Sequence, residues 1–406
     1  MHPLLISHST LSNSLGIGRQ ATLDALRTRR SGLRRCAFEN VDLDTFIGKL
    51  DMLDDMRIGA DMAQYDCRNN RLAQLALEQD GFATAVAEAR GKYGAGRIGV
   101  FMGTSTSGLL QTELAYRRLD SRTGALPDDF HYAQTQNSYS LADFVQQLLG
   151  LTGPSFVVSS ACSSTAKVFA NAARMISAGV CDAAVVGGVD TLCLTTLYGF
   201  NSLGLVSRLP CRPYDSERDG ISLGEGGGFA LIERGHTSAA DASGAGAATR
   251  EGIYLLGIGE SSDAYHMSTP HPEGLGAKLA MQRALDSAGL QSADIDYINL
   301  HGTATKSNDA SEGKAVAELF GADVPCSSTK GWTGHLLGAA GISEAIIAML
   351  ALEHHFIPGS VNTLDVDQAA KLNYQIDNRD AVLQRVLSNS FGFGGSNCSV
   401  VLGTAG

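Results

Sequence analysis

Phe156-Val157-Val158-Ser159-Ser160-Ala161-Cys162-Ser163-Ser164-Thr165 is the stretch on which the reading of this chain turns. Phe156 to Val158 is a short apolar run. From Ser164 to about Ala178 the period changes. Lys167, Asn171 and Arg174 recur at helical spacing, and Val168, Phe169, Met175 and Ile176 fill the apolar face. The spacing predicts a strand, a tight turn and a helix, with the Cys162 thiol at the helix N-terminus. Unpaired N–H groups and the helix dipole favour a thiolate there, and the thiolate is the nucleophilic form. Most free cysteines are small buried hydrophobes instead, so Cys162 alone is evenly balanced between the two readings.

Working outward, the same alternation recurs. Arg97 to Met102 reads as a buried strand, followed by a Gly/Ser/Thr turn from Gly103 to Gly108. Ala183 to Gly188, Ile253 to Ile258, Tyr297 to Leu300 and Arg385 to Ser388 extend the strand series. Ala277 to Ala288 and Ile342 to His354 read as helices between them. The chain has 47 glycines and 9 prolines, as tight strand-to-helix turns require. Strands alternating with helices predict an α/β fold with buried sheets. The polar, Ala/Gly/Ser-rich run Thr237 to Thr249 reads as a linker dividing residues 1–245 from 246–406. No short-period repeat is present.

At 406 residues, 44% hydrophobic and 18% charged, the chain is large enough for one large core or two core units. Its net charge of -11 argues against nucleic acid or an anionic membrane surface as main partner. Arg27, Arg29, Arg30, Arg34 and Arg35 form a local basic cluster to which an acidic carrier could dock, but a solvated loop is the stronger reading. The eight cysteines, Cys36, Cys67, Cys162, Cys181, Cys193, Cys211, Cys326 and Cys398, show no Cys-x-x-Cys pair and no zinc spacing. Scattered thiols of this kind predict a reducing, cytoplasmic setting. The first residues lack the pattern of a signal peptide, and no window reads as a membrane span.

Three motifs follow Cys162. His301-Gly302-Thr303-Ala304-Thr305 puts a histidine at the end of a strand, where α/β folds present functional groups. Ser328-Thr329-Lys330-Gly331-Trp332-Thr333-Gly334-His335-Leu336-Leu337-Gly338 holds a lysine and a histidine in a Gly-rich loop before a helix. Asn389-Ser390-Phe391-Gly392-Phe393-Gly394-Gly395-Ser396-Asn397 is a loop able to expose N–H groups and let a ring swing. Each alone is weak, because a lone histidine is more often structural. The order of all of them is specific.

Together they resemble the β-ketoacyl-acyl-carrier-protein synthases, the condensing enzymes of fatty acid and polyketide synthesis. Pro210 to Asp215, Arg218-Asp219-Gly220, Leu223 to Gly226 and Ser262 to His266 also match. The resemblance implies a thiolase fold, two similar α/β halves in a five-layer αβαβα arrangement. The half 1–245 would carry the nucleophile and the half 246–406 both histidines. It implies decarboxylative condensation of an acyl-enzyme with malonyl carrier protein. Cys162 would be the nucleophile, His301 and His335 the donors to the enolate, and Lys330 the ordering cation. Glu344 and Asp309 would support them. The N–H groups of Cys162 and Phe393 would form the oxyanion hole, with the Phe393 ring as a gate. No cofactor and no metal are implied beyond the phosphopantetheine of the acyl carrier protein. Gly103 to Leu110 and Tyr198 to Val206 would be tunnel walls. Two histidines resemble the elongating branch, and they disfavour a thiolase acting on coenzyme A esters. Thr305-Lys306-Ser307 replaces the usual proline, and Leu4 to Ser9 lacks the usual opening strand pattern. Both resemble a specialised branch such as the aryl polyene synthases. There the partner is a second copy in a homodimer, or a chain-length-factor-like subunit in a heterodimer. A non-catalytic scaffold subunit is the alternative, disfavoured because all three chemical groups are present.

Overall fold

The computed structural model describes residues 1–234 and 252–404. The 245/246 division and the Thr237–Thr249 linker lie outside the described residues. Ten strands carry the architecture. The first five are β1 (Leu4–Asn13), β2 (Ile98–Gly103), β3 (Ser155–Val158), β4 (Ala183–Asp190) and β5 (Gly226–Arg234). The second five are β6 (Ile253–Ser262), β7 (Tyr297–Asn299), β8 (Pro325–Ser327), β9 (Arg385–Gly392) and β10 (Ser396–Thr404). Their spatial orders are β3-β2-β4-β5-β1 and β8-β7-β9-β10-β6. In both, the first three strands in that order run parallel and the last two pairings are antiparallel. One five-strand plan therefore occurs twice, a duplication too distant to register as sequence repetition. β2 and β4 are buried along their whole length and read as unbroken apolar runs, as parallel strands covered on both faces do.

The two sheets join where Leu4 to Ile6 pairs with Ile253 to Leu255. A register shift after Ile6 and another after Leu255 bend both strands beyond this point. β1 corrects the sequence reading, which found no opening strand here. Leu4, Leu5, Ile6 and Leu11 are buried, whereas polar Ser7, His8 and Ser9 around the bend interrupt the alternation that announces a strand.

Helices α1 (Arg68–Leu77) and α2 (Tyr139–Leu149) cover the outer face of the first sheet. α3 (Ser164–Ser177) lies between the sheets. α4 (Leu275–Ala288) and α5 (Lys306–Phe320) cover the outer face of the second, and α6 (Ala340–His354) packs beside α3. The result is five layers: helices, sheet, the α3/α6 pair, sheet, helices. α6 is buried from Ala340 to Leu352, so it is apolar on every face. Contrary to the sequence reading, the helical run Leu337–His354 is long and apolar enough to cross a membrane, but it is 89% buried here inside the protein. α3 and α6 meet at small residues. A Cβ on Gly341 would lie 2.6 Å from the Ala166 nitrogen, and one on Gly103 would lie 2.7 Å from the Thr165 nitrogen. These glycines let the N-termini of both central helices and the end of β2 converge on one spot.

Candidate active site

Cys162 occupies that spot, in the turn from β3 into α3. Ala161 before it holds a left-handed backbone, φ 51°, which a residue with a Cβ adopts only under constraint. Three serines supply the constraint. Ser163 Oγ donates to the Ser160 carbonyl at 2.9 Å, and Ser164 Oγ donates to the Ala161 carbonyl at 2.6 Å. Ser164 Oγ also accepts from the Ser160 N–H at 2.9 Å.

His301 follows the end of β7. Its N–H and that of Gly302 both donate to the Glu312 carboxylate at 2.8 Å. One turn earlier on α5, Asp309 accepts from the Thr303 N–H at 3.0 Å and the Tyr214 N–H at 2.9 Å. Two acids on one face of α5 thus clamp the histidine loop. Lys330 Nζ lies 3.3 Å from His301 Nδ1 and donates to the His301 carbonyl at 2.5 Å. Lys330 also ion-pairs with Glu344 on α6, and both are buried. An ammonium only donates, so His301 Nδ1 accepts and the ring proton sits on Nε2. At His335 the Leu337 N–H donates to Nδ1 at 3.2 Å, with the same consequence.

Cys162 Sγ and one ring nitrogen from each histidine lie within 4.8 Å of one another. The two imidazoles are nearly perpendicular, at 82°, with centroids 5.4 Å apart. The trio has the elements of a metal site. A metal on Nε2 would, however, force each proton onto Nδ1, against the Leu337 N–H or the Lys330 ammonium. The geometry suits a carbonyl oxygen that accepts two N–H groups.

Burial drives the electrostatics. It pushes the Cys162 thiol up to about 12, opposed by the Lys330 charge and by the Phe393 N–H facing the sulfur. The Lys330 charge and the Phe393 N–H thus favour the thiolate, and burial opposes them. Burial, then the Lys330 charge, holds both histidines well below the usual imidazole range, with His335 adding to the effect on His301. Both rings are therefore neutral at pH 7. Burial also raises Glu344 to about 7, with Lys330 pulling it back.

The histidines make a testable contribution to stability. Below about pH 6.5 the unfolded chain takes protons that the folded rings refuse, so stability falls as pH drops. Relative to a His301→Gln/His335→Gln variant, the protein should lose about 2 kcal/mol between pH 6.5 and 5.5. Denaturant titrations at the two pH values check this. An unchanged difference would mean that the rings protonate in place.

The three buried side chains line a solvent-open cleft of about 610 Å³. Thr303, Thr305, Ser268, Thr269, Ser307 and Asn308 give it polar walls, and Phe200, Leu205, Ile221, Phe391 and Phe393 give it apolar ones. The Phe393 and Phe200 rings stand 5.6 Å apart. Tyr198 to Val206 therefore supplies wall residues. Gly103 to Leu110 does not line the cleft, because its Thr104, Ser105 and Thr106 hydroxyls turn inward to Asp190. Glu312 and Asp190 were not singled out from the sequence. The Asp309/Glu312 spacing on one helix face was the available signal for the first. Of the basic cluster, Arg34 pairs with Asp51 at 2.5 Å, Arg35 pairs with Asp44, and Arg30 caps the Leu15 carbonyl at 3.0 Å. Cys398 is buried core in β10, and all eight cysteines are free.

Comparison with known proteins now decides the family. The β-ketoacyl synthase N-terminal domain matches residues 17–238 and the β-ketoacyl synthase C-terminal domain matches residues 254–364. The chain belongs to the β-ketoacyl synthase family. It is a ketosynthase, an acyltransferase, with the thiolase fold. The 3-oxoacyl-[acyl-carrier-protein] synthase 2 of Vibrio cholerae is 34% identical to this ketosynthase over 329 residues, 76% of each chain. The synthase 2 of Staphylococcus aureus is 33% identical, covering 76% of this chain and 77% of its own. Among solved structures, a chain of the ketosynthase (ApeO)–chain length factor (ApeC) complex from Xenorhabdus doucetiae is 36% identical. It superposes with a TM-score of 0.87 over 99% of this ketosynthase and 98% of that chain. A β-ketoacyl synthase from Burkholderia phymatum gives a TM-score of 0.84 at 27% identity, covering both chains completely.

Proposed function

We propose that this ketosynthase extends an acyl chain by condensing a Cys162 thioester with malonyl carrier protein. The observation that carries the reading is the convergence of one sulfur and two Nε2–H imidazoles in the cleft. In the first step Cys162 Sγ attacks the acyl thioester of the carrier. The oxyanion takes the N–H groups of Cys162 and Phe393. The carrier's C–S bond breaks, and the Cys162 proton leaves with its pantetheine sulfur. The polar walls suit the amide-bearing pantetheine arm, and the apolar walls suit the acyl tail. In the second step the malonyl thioester oxygen takes the Nε2–H groups of His301 and His335. The carboxylate carbon leaves as carbon dioxide, and its electron pair forms the enolate. The enolate carbon attacks the Cys162 thioester, expels the sulfur and gives the β-ketoacyl carrier. A proton from the medium restores the thiol. Lys330, Glu344, Glu312 and Asp309 orient the two histidine loops. No metal or further cofactor enters these steps.

His335→Ala tests the division of labour. Acyl transfer to Cys162 should stay within about threefold of the parent, while decarboxylation falls by roughly 10²–10³-fold, the usual cost of one oxyanion donor. Separate assays of acyl-enzyme mass and carbon dioxide release read the two. Normal carbon dioxide release would remove His335 from this role.

The partner is an acyl carrier protein together with a second ketosynthase-fold chain. Among the described residues β3 is an edge strand, paired only with β2 and half-buried along its length, so a second chain can add to it. The likeness to the ApeO–ApeC complex spans 99% of this chain and supports a chain-length-factor-like subunit; the Thr305-Lys306-Ser307 departure from the usual proline supports the aryl polyene branch. Free thiols throughout suit the cytoplasm. Native mass spectrometry of the protein expressed alone and with a candidate chain-length-factor-like chain distinguishes a heterodimer from a homodimer.

A further inference from the structure

Asp190 ends β4 and is fully buried. It does not line the cleft but collects donors from two loops. From the loop after β2 it accepts Thr104 Oγ1 at 2.6 Å, the Ser105 N–H at 2.8 Å and Ser105 Oγ at 2.5 Å. It also accepts the Thr106 N–H at 2.9 Å and Thr106 Oγ1 at 2.8 Å. From the His335 loop in the other half it accepts the Gly338 N–H at 2.6 Å. Gly338 is held on its other side too, because its carbonyl accepts from Thr165 Oγ1 at 2.6 Å, on the nucleophile helix. The approach is so close that a Cβ at position 338 would lie 2.7 Å from Asp190 Oδ2.

Leu337, the residue before, has a left-handed backbone at φ 53°. Neighbours must hold a leucine in that conformation. Its N–H is the donor to His335 Nδ1. The tautomer of an imidazole is set by the bond its other nitrogen makes. We propose that Asp190 is a positioning residue for decarboxylation: by fixing Gly338 it keeps the Leu337 N–H on His335 Nδ1, and so keeps the His335 proton on Nε2. Asp190 touches neither sulfur nor substrate. It acts from the half that carries Cys162 on a histidine of the other half, which couples the two halves of the reaction centre. The proposal rests on the reading of His335 as an Nε2–H donor.

The experiment compares the full-length parent with Asp190→Asn. The isosteric amide turns an NH₂ toward donors, so on this side the Gly338 N–H keeps only its longer bond to Ser105 Oγ, 3.2 Å. Long-range ¹H–¹⁵N spectra report the His335 tautomer, with its signal identified by its loss in His335→Gln. Acyl-enzyme mass and carbon dioxide release are measured on the same samples. The expected result is a shift of His335 away from pure Nε2–H, with decarboxylation down at least about tenfold and acylation within about threefold. This falls short of the roughly 10²–10³-fold cost of deleting the donor itself. Thr165→Val, which releases Gly338 from the opposite side, should show the same split, and it carries the test if Asp190→Asn does not fold. An unchanged tautomer, or acylation and decarboxylation falling equally, overturns the role of Asp190. Normal decarboxylation by His335→Ala, which has no side-chain donor, would instead overturn the reading of His335.

Discussion

Cys162→Ala should make no acyl-enzyme, and its condensation rate should fall by about four orders of magnitude or more, while it continues to decarboxylate malonyl carrier protein. The two halves of this result have separate causes. Condensation needs a covalent thioester, and no other cysteine can hold it. The remaining thiols sit outside the cleft walls, and six of the seven are buried. Decarboxylation needs only two N–H groups on the malonyl thioester oxygen. Those come from His301 and His335, whose tautomers are set by Lys330 and by the Leu337 N–H, not by the sulfur. Alanine keeps the turn, since the bonds that tie it come from Ser163 and Ser164. Intact mass with an acyl carrier substrate and carbon dioxide release with malonyl carrier protein are the two measurements. Product at the parent rate would show that the nucleophile is elsewhere.

Lys330→Met should cost about 3–5 kcal/mol of stability and most of the decarboxylation rate. Methionine fills similar volume but carries no charge, so Glu344 is left buried without its counter-ion. The loss should grow as pH rises from 6 to 8. A carboxyl whose folded pKa is raised is at ease at low pH and loses stability as pH climbs from its unfolded value, 4.5, up to the raised one, which the loss of Lys330 moves higher still. Glu344 stands at about 7 even with Lys330 present. Lys330→Met/Glu344→Gln removes the stranded charge and should recover most of the stability. It should not recover decarboxylation, because His301 Nδ1 still lacks its donor. Denaturant midpoints for the single and double variants, set beside their carbon dioxide release, separate packing from chemistry. Equal recovery of both would reduce the lysine to a structural counter-ion.

The site was more legible in the sequence than the fold around it. Cys162, His301, Lys330, His335 and Phe393 each lie in a short motif whose glycines and hydroxyls mark a turn, and turns are local. The Lys330–Glu344 pair was also within reach, because the two lie 14 positions apart across one loop and one helix turn. The burial of Cys162 was not. Helix-end electrostatics can be read from a motif, but the burial that opposes them is set by the packed fold and not by the motif. β1 was missed because the Ser7–Ser9 stretch at its bend breaks the two-residue period. The two similar halves were legible only through the family resemblance, because they share strand order, which sequence period does not record. Asp190 was hidden for a related reason. Its partners Thr104 to Thr106 and Gly338 lie 84 or more positions away in either direction.

The account is tested most directly by following one peptide through the cycle. The protein is loaded with an acyl carrier substrate, digested and weighed, and a parallel sample receives malonyl carrier protein before digestion. The account predicts one acyl group on the peptide containing Cys162, discharged on addition of malonyl carrier protein with one carbon dioxide and one β-ketoacyl carrier for each group lost. β-Ketoacyl product without prior acylation of that peptide, or an acyl group that malonyl carrier protein fails to remove, would contradict it.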